Sequence, residues 1–102
     1  MAIGSISAFR ATGTVSLSAG TTSTNVALSG GGETIVVTNP TTNLAFVRFG
    51  SDATVVASVT DMPILPNSRI VLSVNSLISY AAALFSSGSG TVLFTRGDGS
   101  FL

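Results

Sequence analysis

Leu44-Ala45-Phe46-Val47-Arg48-Phe49-Gly50-Ser51-Asp52-Ala53-Thr54-Val55-Val56-Ala57-Ser58-Val59 lies at the middle of the 102-residue chain, and its reading decides the fold. Two runs rich in β-branched and aromatic residues flank Gly50-Ser51-Asp52, whose residue types favour a tight turn. The segment therefore reads as a central hairpin, with Leu44 to Phe49 and Thr54 to Val59 as its strands. Further strand candidates lie on both sides of it. Upstream are Thr14 to Ser18, Asn25 to Ser29, and Glu33 to Thr38, in which Ile35 and Val37 alternate with Thr34, Val36 and Thr38. Downstream are Arg69 to Val74, with Ile70, Leu72 and Val74 on one face, then Tyr80 to Phe85 and Thr91 to Thr95. Gly, Pro, Asn, Asp or Ser bounds each of them. Asn39-Pro40 ends the third strand, because proline has no N–H to give a ladder. Met62-Pro63-Ile64-Leu65-Pro66-Asn67 reads as an extended connection.

Eight short strands at roughly ten-residue spacing, with no helix between them, predict an all-β, antiparallel, eight-stranded β-sandwich. A tight turn at the chain's midpoint narrows this to a jelly roll, in which the chain folds as one long hairpin. The fourth strand then pairs with the fifth, the third with the sixth, the second with the seventh and the first with the eighth. Ile35-Val36-Val37 meets Ile70-Val71-Leu72, and Val15-Ser16-Leu17 meets Val92-Leu93-Phe94. An immunoglobulin-like sandwich is the alternative, with seven strands its usual number. Leu77 to Phe85 contains Ala81-Ala82-Ala83, and alanine favours helix. The segment is short and runs straight into a glycine-rich turn, so strand is preferred. Residues 1–13 carry no strong turn signal and read as an N-terminal arm, which leaves 14–102 as a single sandwich domain.

The composition excludes most chemistry. The chain has no His, Cys, Trp, Lys or Gln, and four Arg face four acidic residues. Serines are plentiful, but no His or Lys is present to activate one as a nucleophile. Glu33, Asp52, Asp61 and Asp98 all fall at expected turns or strand ends, where solvated turn residues belong. A His metal site is impossible, and no cofactor, metal or catalytic residue is expected. Gly30-Gly31-Gly32 lacks the Gly-Lys-Ser/Thr of a phosphate loop. Arg96-Gly97-Asp98 matches an adhesion triplet, but a turn after a strand calls for Gly and Asp in any case. A net charge of zero offers nothing to nucleic-acid phosphates. The longest apolar run is too short to cross a bilayer, and the first residues do not follow the secretory-signal pattern. Synthesis in the cytoplasm is the expectation.

Charged residues make up 8% of the chain, against roughly 25% in an ordinary soluble domain. Mean hydropathy is +0.65, so disorder is not the explanation. Alternation puts Phe46 and Arg48 on one face of the fourth strand, and Val47 and Phe49 on the other. Both faces thus carry a large aromatic, and Tyr80 to Phe85 also lacks a polar face. A half-exposed strand of a monomer ordinarily has one polar side. These observations predict a homo-oligomer, dimer or trimer, or a docked protein. The candidate contact residues are Phe46, Arg48 and Phe49, with Ile3, Ile6, Phe9 and Arg10 from the arm.

Val36-Val37-Thr38-Asn39, Ala45-Phe46-Val47-Arg48-Phe49-Gly50, Met62-Pro63-Ile64-Leu65-Pro66-Asn67-Ser68, Tyr80-Ala81-Ala82-Ala83 and Thr91-Val92-Leu93-Phe94-Thr95-Arg96-Gly97-Asp98-Gly99 carry a further signal. Together they cover about the last two-thirds of the chain. With the low charge and the abundance of Ala, Gly, Ser, Thr and Val, the chain resembles the small head decoration, or cement, proteins of tailed bacteriophages. The resemblance implies a jelly roll or related sandwich on the capsid exterior of a virion. It implies the major capsid protein as partner, and head stabilisation by bridging capsid subunits. Competing readings are a tail or fibre module that binds host carbohydrate and a head–tail joining protein. The first fits poorly with one Tyr and no Trp, and the second predicts at least one helix.

Overall fold

The alternating segments form eight strands in the computed structural model, which describes residues 10–75 and 77–98. In chain order they are β1 (Arg10–Ala19), β2 (Thr24–Ala27), β3 (Thr34–Asn39), β4 (Ala45–Gly50), β5 (Met62–Ile64), β6 (Ser68–Ser73), β7 (Tyr80–Phe85) and β8 (Gly90–Asp98). Two four-stranded antiparallel sheets result, ordered β1-β8-β3-β6 and β2-β7-β4-β5. The strand order is that of a chain folded back about its midpoint, β1 with β8, β2 with β7, β3 with β6 and β4 with β5; the first three join the expected segments, and in the fourth Met62–Ile64 stands in place of Thr54 to Val59. The expected register holds as well, with Ile35 opposite Leu72, Val37 opposite Ile70, Val15 opposite Phe94 and Leu17 opposite Val92. The fold is a jelly roll. No described residue is helical, and the alanine run forms the central strand β7.

The inward faces of both sheets make the core. Leu17, Ile35, Val37, Val92 and Phe94 come from the first sheet, and Ala45, Val47, Ile64, Ala81, Ala83 and Phe85 from the second. Phe49 also points inward, its ring edge-on to that of Phe94 with centroids 5.9 Å apart. Such an aromatic pair contributes about 0.5–1.5 kcal/mol beyond its buried area.

Several boundaries differ from expectation, among them that of β8, which runs on past Thr95 to Asp98. Thr54 to Val59 is not a strand, and the fifth strand is Met62–Ile64 within the supposed connection. The carboxylate of Asp52 accepts hydrogen bonds from the Thr54 amide at 3.0 Å and from the Thr54 hydroxyl, which bends the chain after β4. A second turn follows, closed by the Asp61 N–H bonding the Ser58 carbonyl. Between these turns the chain leaves the sheet plane, and pairing resumes only at Met62. Pro63 is acceptable there because β5 lies at a sheet edge. The arm boundary also moves, since β1 begins at Arg10, paired with Asp98. Residues 10–13 of the expected arm are thus sheet, and Met1 to Phe9 lies outside the described residues.

Polar side chains fasten the ends of the sandwich. Asn39 is fully buried, and its side-chain N–H groups donate to the carbonyls of Asn43 (2.8 Å), Ile64 (3.1 Å) and Leu65 (3.3 Å). Its Oδ1 accepts from the amide and hydroxyl of Thr41. Arg96, also buried, donates to three backbone carbonyls: Gly32 (3.0 Å), Asn75 (3.2 Å) and Ile78. It ties the β2–β3 and β6–β7 connections to β8. Beside it, Gly32 has φ +117°, and a Cβ there would run into the Gly97 carbonyl, so only glycine fits.

Candidate interaction surface

The two sheets present different outer faces. On β1-β8-β3-β6 the outward positions include Thr14, Ser16, Ser18, Thr38, Arg69, Ser73 and Thr95. Thr14 and Thr95 hydroxyls lie 3.0 Å apart across the β1–β8 ladder. Val36, Val71 and Leu93 share this face, Val36 buried and Val71 exposed, so its hydroxyl-rich surface has an apolar centre.

The outward positions of β2-β7-β4-β5 are apolar at their centre: Phe46 on β4, Ala82 and Leu84 on β7. Residues 51–61, which connect β4 to β5, lie over them as a lid. Val55 and Ala57 pack down on Phe46, Ala82 and Leu84. The lid is pinned at its far side, where the Asn25 side chain donates to the Ala53 carbonyl at 2.8 Å and the Ala57 amide donates to Ser23 Oγ at 2.9 Å. It is pinned again at its return, where the Ser58 amide donates to Asp61 Oδ2 at 2.7 Å. Arg48 reaches Asp61 at 3.8 Å, largely in solvent, which contributes little energy. On the lid's outer side Val56 and Val59 are 62% and 64% exposed.

The adjoining edge is apolar too. Met62, Pro63, Ile64, Leu65, Arg69 and Ile70 line a groove of about 450 Å³ between β5 and β6. Leu65 is 63% exposed on its rim. Val56, Val59, Met62 and Leu65 thus put four exposed apolar side chains into ten consecutive residues. Contiguous exposed apolar surface of this kind marks interaction sites.

The expected contact residues divide accordingly. Ile3, Ile6 and Phe9 lie outside the described residues, and Arg10 is exposed at the start of β1. Arg48 is exposed beside the lid. Phe46 is covered by the chain's own lid, and Phe49 is packed into the core. The two-faced apolar pattern of β4 and β7 therefore has an intramolecular cause, because each strand lies between core and lid. Sequence reasoning misses Val56 and Val59 because Thr54 to Val59 reads as a strand, and Leu65 because Met62 to Asn67 reads as a connection. The three-residue spacing of Val56, Val59, Met62 and Leu65, foreign to a strand, is the available signal.

The polar residues do not converge. Asp52 and Asp61 sit in the lid's two turns, while Asp98 accepts the Glu33 amide at 3.3 Å at the opposite end of β8. The Thr54 hydroxyl, and after it the Thr54 amide, hold the Asp52 carboxyl below its ordinary value of 3.8. Among the described residues no group of three or more acidic, His or Cys side chains is placed to hold a metal ion. Arg96-Gly97-Asp98 is part of β8, with Arg96 and Gly97 buried, so the triplet is not displayed as a loop. Comparison with protein-family models, curated proteins and solved structures finds no match to this chain.

Proposed function

We propose that this protein is a bacteriophage capsid decoration protein, which binds the outside of the head and stabilises it by bridging major capsid subunits. The observation that carries the reading is the lid, a connection that hides one apolar layer yet turns Val56 and Val59 to solvent. A chain with 8% charged residues and such a surface gains from a permanent partner. The sequence resemblance supplies the partner, a capsid shell. The action is mechanical: each copy adds buried area where shell subunits meet, and the contributions of many copies sum. A standard interface buries about 1,200–2,000 Å² in total. The lid side, where exposed apolar side chains are densest along the chain, meets the shell.

Co-sedimentation with undecorated heads of the phage that encodes the chain tests this. The protein should pellet with the heads and raise the temperature at which they release DNA. The double variant Val56→Asp, Val59→Asp should melt normally, because both side chains are largely exposed. It should fail to pellet with heads. Absence of head binding by the unaltered protein would overturn the proposal.

A further inference from the structure

β5 is the shortest strand of the sandwich. It is three residues long, ends its sheet on one side, and includes Pro63, which has no N–H to donate. Its two ends are held differently. At the far end the Ile64 carbonyl accepts from the side chain of buried Asn39 at 3.1 Å. At the near end Met62 stands opposite Val47 and follows directly on the lid, whose return is closed at Asp61. Residues directly opposite one another in an antiparallel ladder project to the same face. Val47 is buried in the core, so the Met62 side chain is directed to the core side as well. There it lines the apolar groove with Ile64 and Ile70, yet the residue is 40% exposed. Met62 thus lies where the margin of the core meets water.

We propose that Met62 is an oxidation site, at which a peroxide converts the thioether to a sulfoxide and so loosens β5 and the lid that runs into it. The step is a two-electron oxygen transfer. A sulfur lone pair attacks one peroxide oxygen, and the S–O bond forms as the O–O bond breaks. The proton of the transferred oxygen passes to the leaving one, which departs as water. Sulfur is oxidised and the peroxide reduced. The composition directs the oxidant here. The chain has no Cys, His or Trp and two Met, of which Met62 is the one among the described residues. The product is polar, and the apolar side chains of Ile64 and Ile70 offer its oxygen no donor, so it turns to water. That movement takes Met62 off the core margin while Asn39 still holds Ile64. The strand frays from its lid end, and the lid loses the support of its return. The pins to Ser23 and Asn25 remain. The inference does not rest on the capsid reading.

Dilute hydrogen peroxide applied to the folded chain tests this. Arg48 and Arg69 are the tryptic sites on either side of Met62, so the peptide 49–69 separates it from Met1. That peptide should gain one oxygen atom at a rate close to that of free methionine. The oxidised protein should melt about 4–8 °C lower, as the apolar burial of one half-exposed side chain is lost. Amide hydrogen exchange should quicken over residues 58–62 and stay unchanged in β3 and β8. Methionine sulfoxide reductases A and B together should restore both properties. Met62→Leu, which nearly conserves volume, should melt as the unaltered chain does and be insensitive to peroxide, although it retains Met1. Protection of Met62 from peroxide in the folded chain would overturn the inference. So would a sulfoxide that leaves melting and lid exchange unchanged, exchange that quickens equally in β3 and β8, or an equal effect of peroxide on Met62→Leu.

Discussion

Asn39 shows how much of a small sandwich rests on one polar side chain. It stands where β3 ends, before Pro40, and fixes three backbone carbonyls from two other segments. Replacing it by Ala would take the side-chain donor from the Ile64 carbonyl and the acceptor from the Thr41 amide, while the Asn43 and Leu65 carbonyls keep the hydroxyls of Thr41 and Ser68. Each unsatisfied buried group costs about 1–3 kcal/mol. Asn39→Ala is therefore expected to lose at least about 2 kcal/mol, a sizeable share of the 5–15 kcal/mol typical of a domain. Urea denaturation checks this, and an unchanged midpoint would show the network to be dispensable. The sequence marks Asn39 as a strand terminator and nothing more. Its burial depends on Ile64 and Leu65, 25 and 26 residues away, which no local pattern reveals. Arg96 is similar. Read in isolation it belongs to a short recognition triplet, and only the approach of Gly32, Asn75 and Ile78 makes it an internal brace.

The lid is the element that local patterns misassign. Val-rich Thr54 to Val59 has strand propensity, but the turns set by Asp52 and by Ser58 to Asp61 prevent pairing with β4. Tertiary packing overrides propensity here, because the apolar outer face of β4 and β7 needs a cover. β7 shows the converse: its alanines argue helix by propensity, yet small side chains suit a strand covered on both faces. β3, β4, β6 and β7 lie within one residue of their expected limits, since alternation between turn residues is local information, whereas β2 ends two residues early and β8 runs three residues further. A pair of truncations separates lid from core. Phe94→Ala removes a buried core ring and should cost about 3–5 kcal/mol. Phe46→Ala removes a partly buried ring beneath a pinned loop, and about 1–2 kcal/mol is expected, because less area is lost and the lid can settle. Equal losses in denaturant titrations would mean that the lid is as much a part of the core as the sheets.

At the scale of the molecule the jelly roll closes through its ends, with Arg10 opposite Asp98 in the outermost ladder. Contacts so distant in sequence form late and place the fold among the slower two-state folders, in the range of milliseconds to seconds. They also make the first residues of β1 a structural seam. Thr12 Oγ1 lies 2.6 Å from the Gly31 carbonyl and accepts the Gly31 amide at 3.0 Å, joining β1 to the β2–β3 connection. Gly13, past a register shift, faces Arg96. Two truncations should therefore behave differently. Removing residues 1–9 leaves every strand pairing of the sandwich in place, and the melting temperature should hold, measured where the chain is dilute enough to be monomeric. That condition matters, because association would itself raise the apparent stability of the full chain. Removing 1–13 deletes the Arg10, Ala11 and Gly13 pairings and the Thr12 link, worth about 2–3 kcal/mol at about 1 kcal/mol per hydrogen bond. With 4–8 °C per kcal/mol for a domain of this size, the melting temperature should fall by roughly 10–20 °C. Equal melting of the two truncated proteins would mean that the sandwich closes without the first turn of β1, and that the functional arm extends to Gly13 after all.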